Sequence, residues 1–87
     1  MGSFEVIFKR SVAKDLHQIP KKDVAKILKR IEALRSDPRP NGVEKLSGQE
    51  KYRIRQGVYR ILYEIRNAEL IVVVVKLGHR RNVYRTS

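Results

Sequence analysis

The chain has 87 residues and no cysteine, so the sequence predicts one domain over residues 1–87 that is stabilised by packing rather than by disulfides. With only two histidines, a metal site built from several Cys and His ligands is excluded, and we expect neither a metal nor a cofactor. Twenty Lys and Arg against nine Asp and Glu give a net charge of +11, which favours a polyanionic or acidic partner.

The longest purely apolar run, residues 70–75, is about a third of the ~20 residues that a membrane helix needs. The N-terminus also lacks the features of a signal peptide, so we expect a cytoplasmic protein without a membrane partner. The positive charge is concentrated in the second half of the chain. Residues 1–50 hold eleven basic and seven acidic residues, whereas residues 51–87 hold nine and two. The partner surface is therefore expected mainly after residue 50.

The chain begins with a predicted strand and a predicted helix. Residues 4–8 alternate loosely and are rich in strand formers. A first helix is predicted from Arg10, with Ser11 as a reasonable N-cap, and it ends before Pro20.

A second helix shows the clearest periodicity in the chain. Pro20 suits its first turn. One face carries apolar residues at helical spacing: Val24, Ile27, Leu28, Ile31 and Leu34. Two prolines and an Asn-Gly pair then predict a loop over residues 36–48.

From Lys51 the pattern changes to the period of two that is typical of strands. Arg53 and Arg55 fall on one face. After a turn at residues 56–58, the next strand directs the odd-numbered residues 59–65 to one face and Arg60 to the other. Residues 69–77 are apolar on both faces, which indicates an interior strand. The order β-α-α-β-β-β predicts a two-layer α+β fold, with a helical pair on a mainly antiparallel sheet.

Three groups could carry chemistry: the pair Arg53 and Arg55, Arg60, and the tail from His79 to Tyr84. The arginines would lie near one another if their faces coincide, and the tail could close over the same surface. Several guanidiniums together favour a phosphodiester, because they grip phosphate oxygens in a bidentate way. In RNA the 2′-hydroxyl can attack the neighbouring phosphorus, and cations then stabilise the developing charge.

The residue that would transfer the proton is harder to identify. Arginine is a poor base, and His79 is the only side chain of this region that ordinarily exchanges a proton near neutral pH. Each candidate also has a purely structural interpretation. Arg53 and Arg55 could be the solvent face of an edge strand, Arg60 could pair with Glu64, and His79 could be an ordinary loop histidine. Tyr84 could anchor the tail to the core.

Three stretches, in this order, resemble the C-terminal signature of RelE-type toxins of the RelE/ParE superfamily. They are Tyr52-Arg53-Ile54-Arg55, Tyr59-Arg60-Ile61-Leu62-Tyr63 and Gly78-His79-Arg80-Arg81-Asn82-Val83-Tyr84-Arg85. The upstream Leu46-Ser47-Gly48 and the paired helices fit the same family, so the resemblance covers nearly the whole chain.

The resemblance implies a toxin of a toxin–antitoxin system that cleaves mRNA on the ribosome. An acidic, RelB-like antitoxin would wrap and silence it in a hetero-oligomer. By motif, Arg60 and Arg80 match arginines that stabilise the phosphoryl transition state, and Tyr84 matches the aromatic residue that orients the substrate base. Arg53 and Arg55 stand where the best-known member has two lysines, one of which is held to act as base. The base here is therefore His79, an unusually perturbed group, or absent.

Further basic residues, Lys51, Arg81 and Arg85, are predicted to contact RNA. Two rival functions stay open. ParE-type toxins share the fold but target DNA gyrase, and a non-enzymatic RNA- or ribosome-binding module would need only distributed positive charge. The presence of Arg60, Arg80 and Tyr84 favours RNA cleavage.

Overall fold

The computed structural model of the chain describes residues 3–46 and 50–79. Within these residues the elements are β1 (Glu5–Phe8), α1 (Arg10–His17), α2 (Lys21–Glu32), a 3₁₀ turn (Ala33–Arg35), β2 (Glu44–Leu46), β3 (Lys51–Gln56), β4 (Tyr59–Arg66), a second 3₁₀ turn (Asn67–Glu69) and β5 (Ile71–His79). The predicted fold class is confirmed, because two helices pack on a mostly antiparallel sheet. None of the described helices is long and apolar enough to cross a lipid bilayer.

The five strands form one sheet in the order β1-β5-β4-β3-β2. Only β1 and β5 pair in parallel, and the other neighbours are antiparallel. β5 lies between β1 and β4, which confirms the interior strand predicted from its apolar sequence. The strand is shifted relative to the prediction: it begins at Ile71, after Leu70 adopts a left-handed conformation with φ 55°. It also extends to His79, which the sequence had assigned to the tail.

A β-bulge in β5 decides which way the end of this strand faces. Leu62 pairs with Lys76, but Tyr63 pairs with Val74, so Val75 is an extra residue with no register partner in β4. An extra residue reverses the alternation of side chains beyond it. Val74 and Leu77 therefore both reach the core although they are three positions apart.

The core lies between the helices and one face of the sheet. Its fully buried side chains come from both layers: Val12, Ile27, Ile31 and Leu34, and from the sheet Ile54, Ile61, Tyr63, Val72, Val74 and Leu77. Burying each large aliphatic side chain contributes about 1.5–3 kcal/mol. Leu28 is the exception to the predicted apolar stripe, since it is 40% exposed. It lies one helical position from Ile27, beside the line along which α2 meets the sheet.

The loop predicted over residues 36–48 contains a strand that the sequence did not indicate. β2 pairs with the start of β3, with Glu44 opposite Arg53 and Leu46 opposite Lys51. Its three residues, Glu-Lys-Leu, have no strand periodicity of their own. This segment is therefore a strand because it pairs with β3, and not because of its local propensity.

Both helix starts differ slightly from their predictions. The N-cap of α1 is Lys9 and not Ser11, and the Val12 amide donates to the Lys9 carbonyl over 2.9 Å. Pro20 is the N-cap of α2 rather than a residue of its first turn, and its carbonyl accepts from the Asp23 and Val24 amides. Neither N-cap side chain makes a capping hydrogen bond, so the backbone alone closes these first turns.

The chain between α2 and β2 is attached to the core by a buried tyrosine. The Tyr63 hydroxyl donates to the Pro38 carbonyl over 2.7 Å. Burial of this phenol raises the pKa of Tyr63 well above its ordinary value, so it stays a hydrogen-bond donor at any physiological pH. A loop with few apolar side chains thus gains a fixed point on β4.

Replacing Tyr63 with Phe should lower the free energy of unfolding by about 1–2 kcal/mol, because the buried Pro38 carbonyl loses its donor. Chemical denaturation measures this change. Tyr59→Phe is the matched control: its hydroxyl donates to Asp23 over a longer 3.3 Å at a half-buried site, so a smaller loss is expected. Equal losses in the two variants would contradict the anchoring role of Tyr63.

Candidate functional site

Three arginines from two adjacent strands share the sheet face that points away from the core. Arg53 and Arg55 alternate with the buried Tyr52 and Ile54 along β3. In the β3–β4 register Arg55 lies directly opposite Arg60. Side chains opposite each other on one face are neighbours, so the strand pairing brings these arginines together.

A cavity of about 450 Å³ forms beside these arginines. The described residues that line it are Arg30, Asn41, Gly42, Glu44, Arg53, Arg55 and Arg60. We call this space the arginine cavity. Four guanidiniums and one carboxylate leave its lining strongly positive, which suits an anionic ligand such as a phosphodiester.

Arg60 is held more firmly than its neighbours. It is 5% exposed and lies in the middle of the sheet, with β3 on one side and β5 on the other. Its partner position in β5 is Gly78, which has no side chain to compete for space. Arg60 therefore contributes to the cavity lining a guanidinium that is held between two neighbouring strands.

Glu44 enters the arginine cavity from β2 and was not a candidate from the sequence. Its Oε1 accepts a hydrogen bond from Arg53 Nε over 3.0 Å, and a terminal nitrogen of Arg53 forms an ion pair with the same oxygen at 3.0 Å. The contact depends on the pairing of β2 with β3. Because the sequence predicted a loop there, no local signal connected Glu44 with Arg53.

Three further lining residues were also missed. Arg30 is half-buried and reaches the cavity from α2. Asn41 and Gly42 belong to the turn before β2, and Gly42 has a φ of 87°, a conformation that glycine adopts without strain. The Asn-Gly pair was recognised as a turn signal but not as part of a site.

A cluster of polar side chains holds the loop that carries Asn41 and Gly42. Arg39 donates to the Tyr52 hydroxyl over 3.0 Å and to Glu50 Oε1 over 2.7 Å. Asn67 joins them, accepting from Arg39 over 3.1 Å and donating to Glu50 over 3.3 Å. We call these four residues, Arg39, Glu50, Tyr52 and Asn67, the polar cluster. It links the loop to the start of β3 and to the turn after β4.

The polar cluster stabilises the ionised form of Glu50. Hydrogen bonds from Arg39, then from Tyr52 and Lys45, lower the pKa of Glu50 to about 2. The same contacts, chiefly those with Tyr52 and Glu50, raise the pKa of Arg39. The Arg39 guanidinium also lies 5.3 Å from the centre of the Tyr52 ring, within the range of a cation–π contact.

His79 lies away from the three arginines. It is the register partner of Tyr59, and the two rings meet edge to face with centroids 6.2 Å apart. Tyr59 precedes Arg60 along β4 and points to the opposite face of the sheet, towards Asp23 of α2. Together with Asp15 and other residues, His79 and Tyr59 line a separate cavity of about 220 Å³. This placement argues against His79 as the base of the arginine cavity.

The remaining predicted site residues have two different outcomes. Lys51 is exposed at the start of β3, on the same face as Arg53 and opposite Glu64, and it does not line the arginine cavity. Arg80, Arg81, Tyr84 and Arg85 lie outside the described residues.

Comparison with known families agrees with this fold. The model of the family described as ParE toxin of type II toxin-antitoxin system, parDE, matches residues 6–84. The chain therefore belongs to this family of type II toxins, within the RelE/ParE superfamily.

Individual relatives carry RelE-type names. The RelE1 protein of Methanocaldococcus jannaschii is 29% identical over 86 residues, covering 94% of this chain and 96% of the relative. Toxin RelG of Mycobacterium tuberculosis is also 29% identical, covering 94% and 97%. The archaeal RelE–RelB complex from Pyrococcus horikoshii contains a chain that matches with a TM-score of 0.81 at 28% identity, covering 90% of this chain and 96% of that one.

The stability of the protein should depend on Glu50 at acidic pH. A carboxyl whose pKa is lowered in the folded state stabilises the fold above its unfolded pKa, and this stabilisation is lost as the pH falls through the folded pKa. For Glu50 that window runs from about pH 5 to about pH 2. The wild type should therefore lose more stability than Glu50→Gln across this window. Thermal unfolding at several pH values measures the difference, and parallel curves would contradict it.

Proposed function

We propose that this toxin is an endoribonuclease that cleaves mRNA on the ribosome, using the 2′-hydroxyl of the substrate as the nucleophile. The observation that carries the proposal is the convergence of Arg53, Arg55 and Arg60 on one cavity. Such a cluster matches the charge of a phosphodiester and presents the forked donors that bind its oxygens.

The reaction follows from the chemistry of RNA. The 2′-oxygen attacks the adjacent phosphorus, the bond to the 5′-oxygen breaks, and the products carry a 2′,3′-cyclic phosphate and a 5′-hydroxyl. Because the nucleophile belongs to the substrate, the enzyme contributes orientation, charge stabilisation and proton transfer. Negative charge accumulates on the phosphoryl oxygens in the transition state, where fixed guanidiniums stabilise it most.

The cavity suggests a division of labour among the arginines. We assign the stabilisation of the phosphoryl oxygens to Arg60, since its burial keeps its charge in one place. Arg53 and Arg55, on β3, are more exposed than Arg60 and would bind the flanking phosphates. By their motif, we assign Arg80 to the scissile phosphate and Tyr84 to stacking on the substrate base. We further assign Lys51 on β3, and Arg81 and Arg85 in the tail, to the RNA backbone.

An antitoxin should cover the same positive surface. The Pyrococcus horikoshii structure is a RelE–RelB complex, and the net charge of +11 of the present chain favours an acidic partner. We propose a RelB-like antitoxin that lays an acidic segment across the arginine face and blocks access to mRNA. We therefore propose that the toxin acts in the cytoplasm.

Gyrase inhibition is the second candidate, because the matching family model is described by ParE. An arginine cavity would still bind an anionic partner in that case, but no phosphoryl transfer would follow. The two functions differ in which nucleic acid is broken when the toxin is expressed.

Replacing Arg60 with Ala should abolish growth arrest on induced expression. Loss of one donor to a developing oxyanion costs about 3–4 kcal/mol of transition-state stabilisation, a rate reduction of roughly 10²–10³. Arg60→Lys keeps the charge but not the fork, so it should restore activity only partly. Arg80→Ala should behave like Arg60→Ala.

The matched control is Arg66→Ala, an exposed arginine at the end of the same strand. It should remain as toxic as the wild type. Circular dichroism and unfolding midpoints confirm that each variant is folded. Full toxicity of folded Arg60→Ala and Arg80→Ala would count against cleavage.

Sequencing of RNA ends after induction distinguishes the two candidate functions. We expect cuts in translated mRNA that repeat in phase with codons and depend on Arg60. In parallel, extracted DNA is examined for breaks covalently trapped on gyrase. DNA breaks with intact mRNA would replace the endonuclease with gyrase poisoning, and growth arrest with neither would indicate a basic module that only binds the ribosome.

A further inference from the structure

The arginine cavity contains one described side chain able to take up a proton. Four of its lining residues are arginines, which stay protonated at any physiological pH, and Asn41 and Gly42 do not titrate. The exception is Glu44. His79, the alternative among the described residues, lies with Tyr59 in the other cavity.

Glu44 is also oriented in the way that a general base requires. Arg53 holds its Oε1 through a hydrogen bond from Nε of 3.0 Å and an ion-pair contact of 3.0 Å from a terminal nitrogen, and the pairing of β2 with β3 sets the two residues opposite each other. A base whose direction is fixed by a third group is the usual arrangement in enzymes that activate a hydroxyl. The Glu44 side chain is nevertheless 54% exposed, so a ligand in the cavity can reach it.

From this geometry we propose that Glu44 is the general base of the reaction and that Arg53 positions it. The inference rests on the endonuclease function proposed above. Glu44 takes the proton of the 2′-hydroxyl as the 2′-oxygen bonds to phosphorus. The bond between phosphorus and the 5′-oxygen breaks, and that oxygen leaves with a proton from water. Glu44 then returns its proton to solvent, so the turnover consumes no other reactant.

The charged groups around Glu44 are mostly cations, contributed by three elements. Arg53 and Arg55 face it from β3, Arg60 from β4 and Arg30 from α2. Lys45, next to it on β2, extends instead to Glu50, with 3.3 Å between Nζ and Oε2. The cations that line the cavity stabilise the negative charge of the phosphorane that forms beside the carboxylate.

A simpler role for Glu44 is to orient Arg53 as half of an ion pair. This alternative makes a different prediction for glutamine, which keeps an oxygen that accepts from Arg53 but cannot take up a proton. If Glu44 only orients Arg53, Glu44→Gln should resemble the wild type and Glu44→Ala should be impaired. If Glu44 is the base, both variants should be equally slow.

The test is single-turnover cleavage of mRNA on programmed ribosomes by the purified toxin, with the two Glu44 variants compared across pH. We expect Glu44→Gln to be slower by at least about 100-fold, with no advantage over Glu44→Ala. The wild-type rate should rise on the acidic side as the carboxylate ionises, and this rise should disappear in Glu44→Gln. Glu69→Gln, in the exposed turn before β5, is the control and should keep the wild-type rate and pH profile.

Binding is measured separately with an mRNA that carries a 2′-deoxyribose at the cleavage site. Glu44→Gln should bind these ribosomes as tightly as the wild type or more tightly, since a negative charge near the phosphates is removed. A Glu44→Gln toxin that cleaves at the wild-type rate overturns the base assignment while the endonuclease function stands. A wild-type toxin that leaves mRNA intact overturns both.

Discussion

The register between β3 and β4 determines both the core and the candidate site. In this register Tyr52 lies opposite Tyr63 and Arg55 lies opposite Arg60. The tyrosine rings stack in the core with centroids 5.8 Å apart, while the arginines meet on the other face. A slip of one residue would exchange the faces of a whole strand. It would place guanidiniums in the apolar core, at a cost of several kcal/mol per charge.

The tight hairpin between these strands helps to fix that register. Gly57 has a φ of 61° in the connection between Gln56 and Tyr59, a conformation that hairpin turns require and that glycine adopts at low cost. Burial of the apolar side chains favours a single β3–β4 register, and the geometry of the turn is compatible with it. The geometry of the arginine cavity is therefore set by the hydrophobic core rather than by contacts among the arginines, whose like charges repel one another.

The loop at the rim of the cavity has support from two directions. The Tyr63 hydroxyl binds the Pro38 carbonyl from inside the protein. The side chain of Arg39, the next residue, binds Glu50 and Asn67 at the surface. Individual exposed ion pairs contribute little, but these contacts share Glu50 Oε1 and form a network. The rim that carries Asn41 and Gly42 is thus attached to the same two strands that carry the arginines.

The features that could be predicted from the sequence are those that depend on local patterns, and the missed features depend on pairing between distant segments. Period-two alternation placed Arg53, Arg55 and Arg60 on the right faces, and the 3.6-residue period identified α2, because both patterns are local. β2 was missed since pairing with β3 alone makes it a strand, and Glu44 was missed with it. The position of His79 depends on the bulge at Val75. Without that extra residue, alternation from Val74 would have turned His79 towards Arg60.

The parallel pairing of β1 with β5 has a consequence for biosynthesis. Glu5 pairs with Ile71 and Phe8 with Val74, so the first strand to leave the ribosome waits for the last one before it enters the sheet. Contacts so distant in sequence form late, because closing long loops is entropically costly. While the chain is still being translated, β1 lacks its neighbour and the layer beneath α1 is incomplete. The sheet is therefore completed only after β5 has left the ribosome.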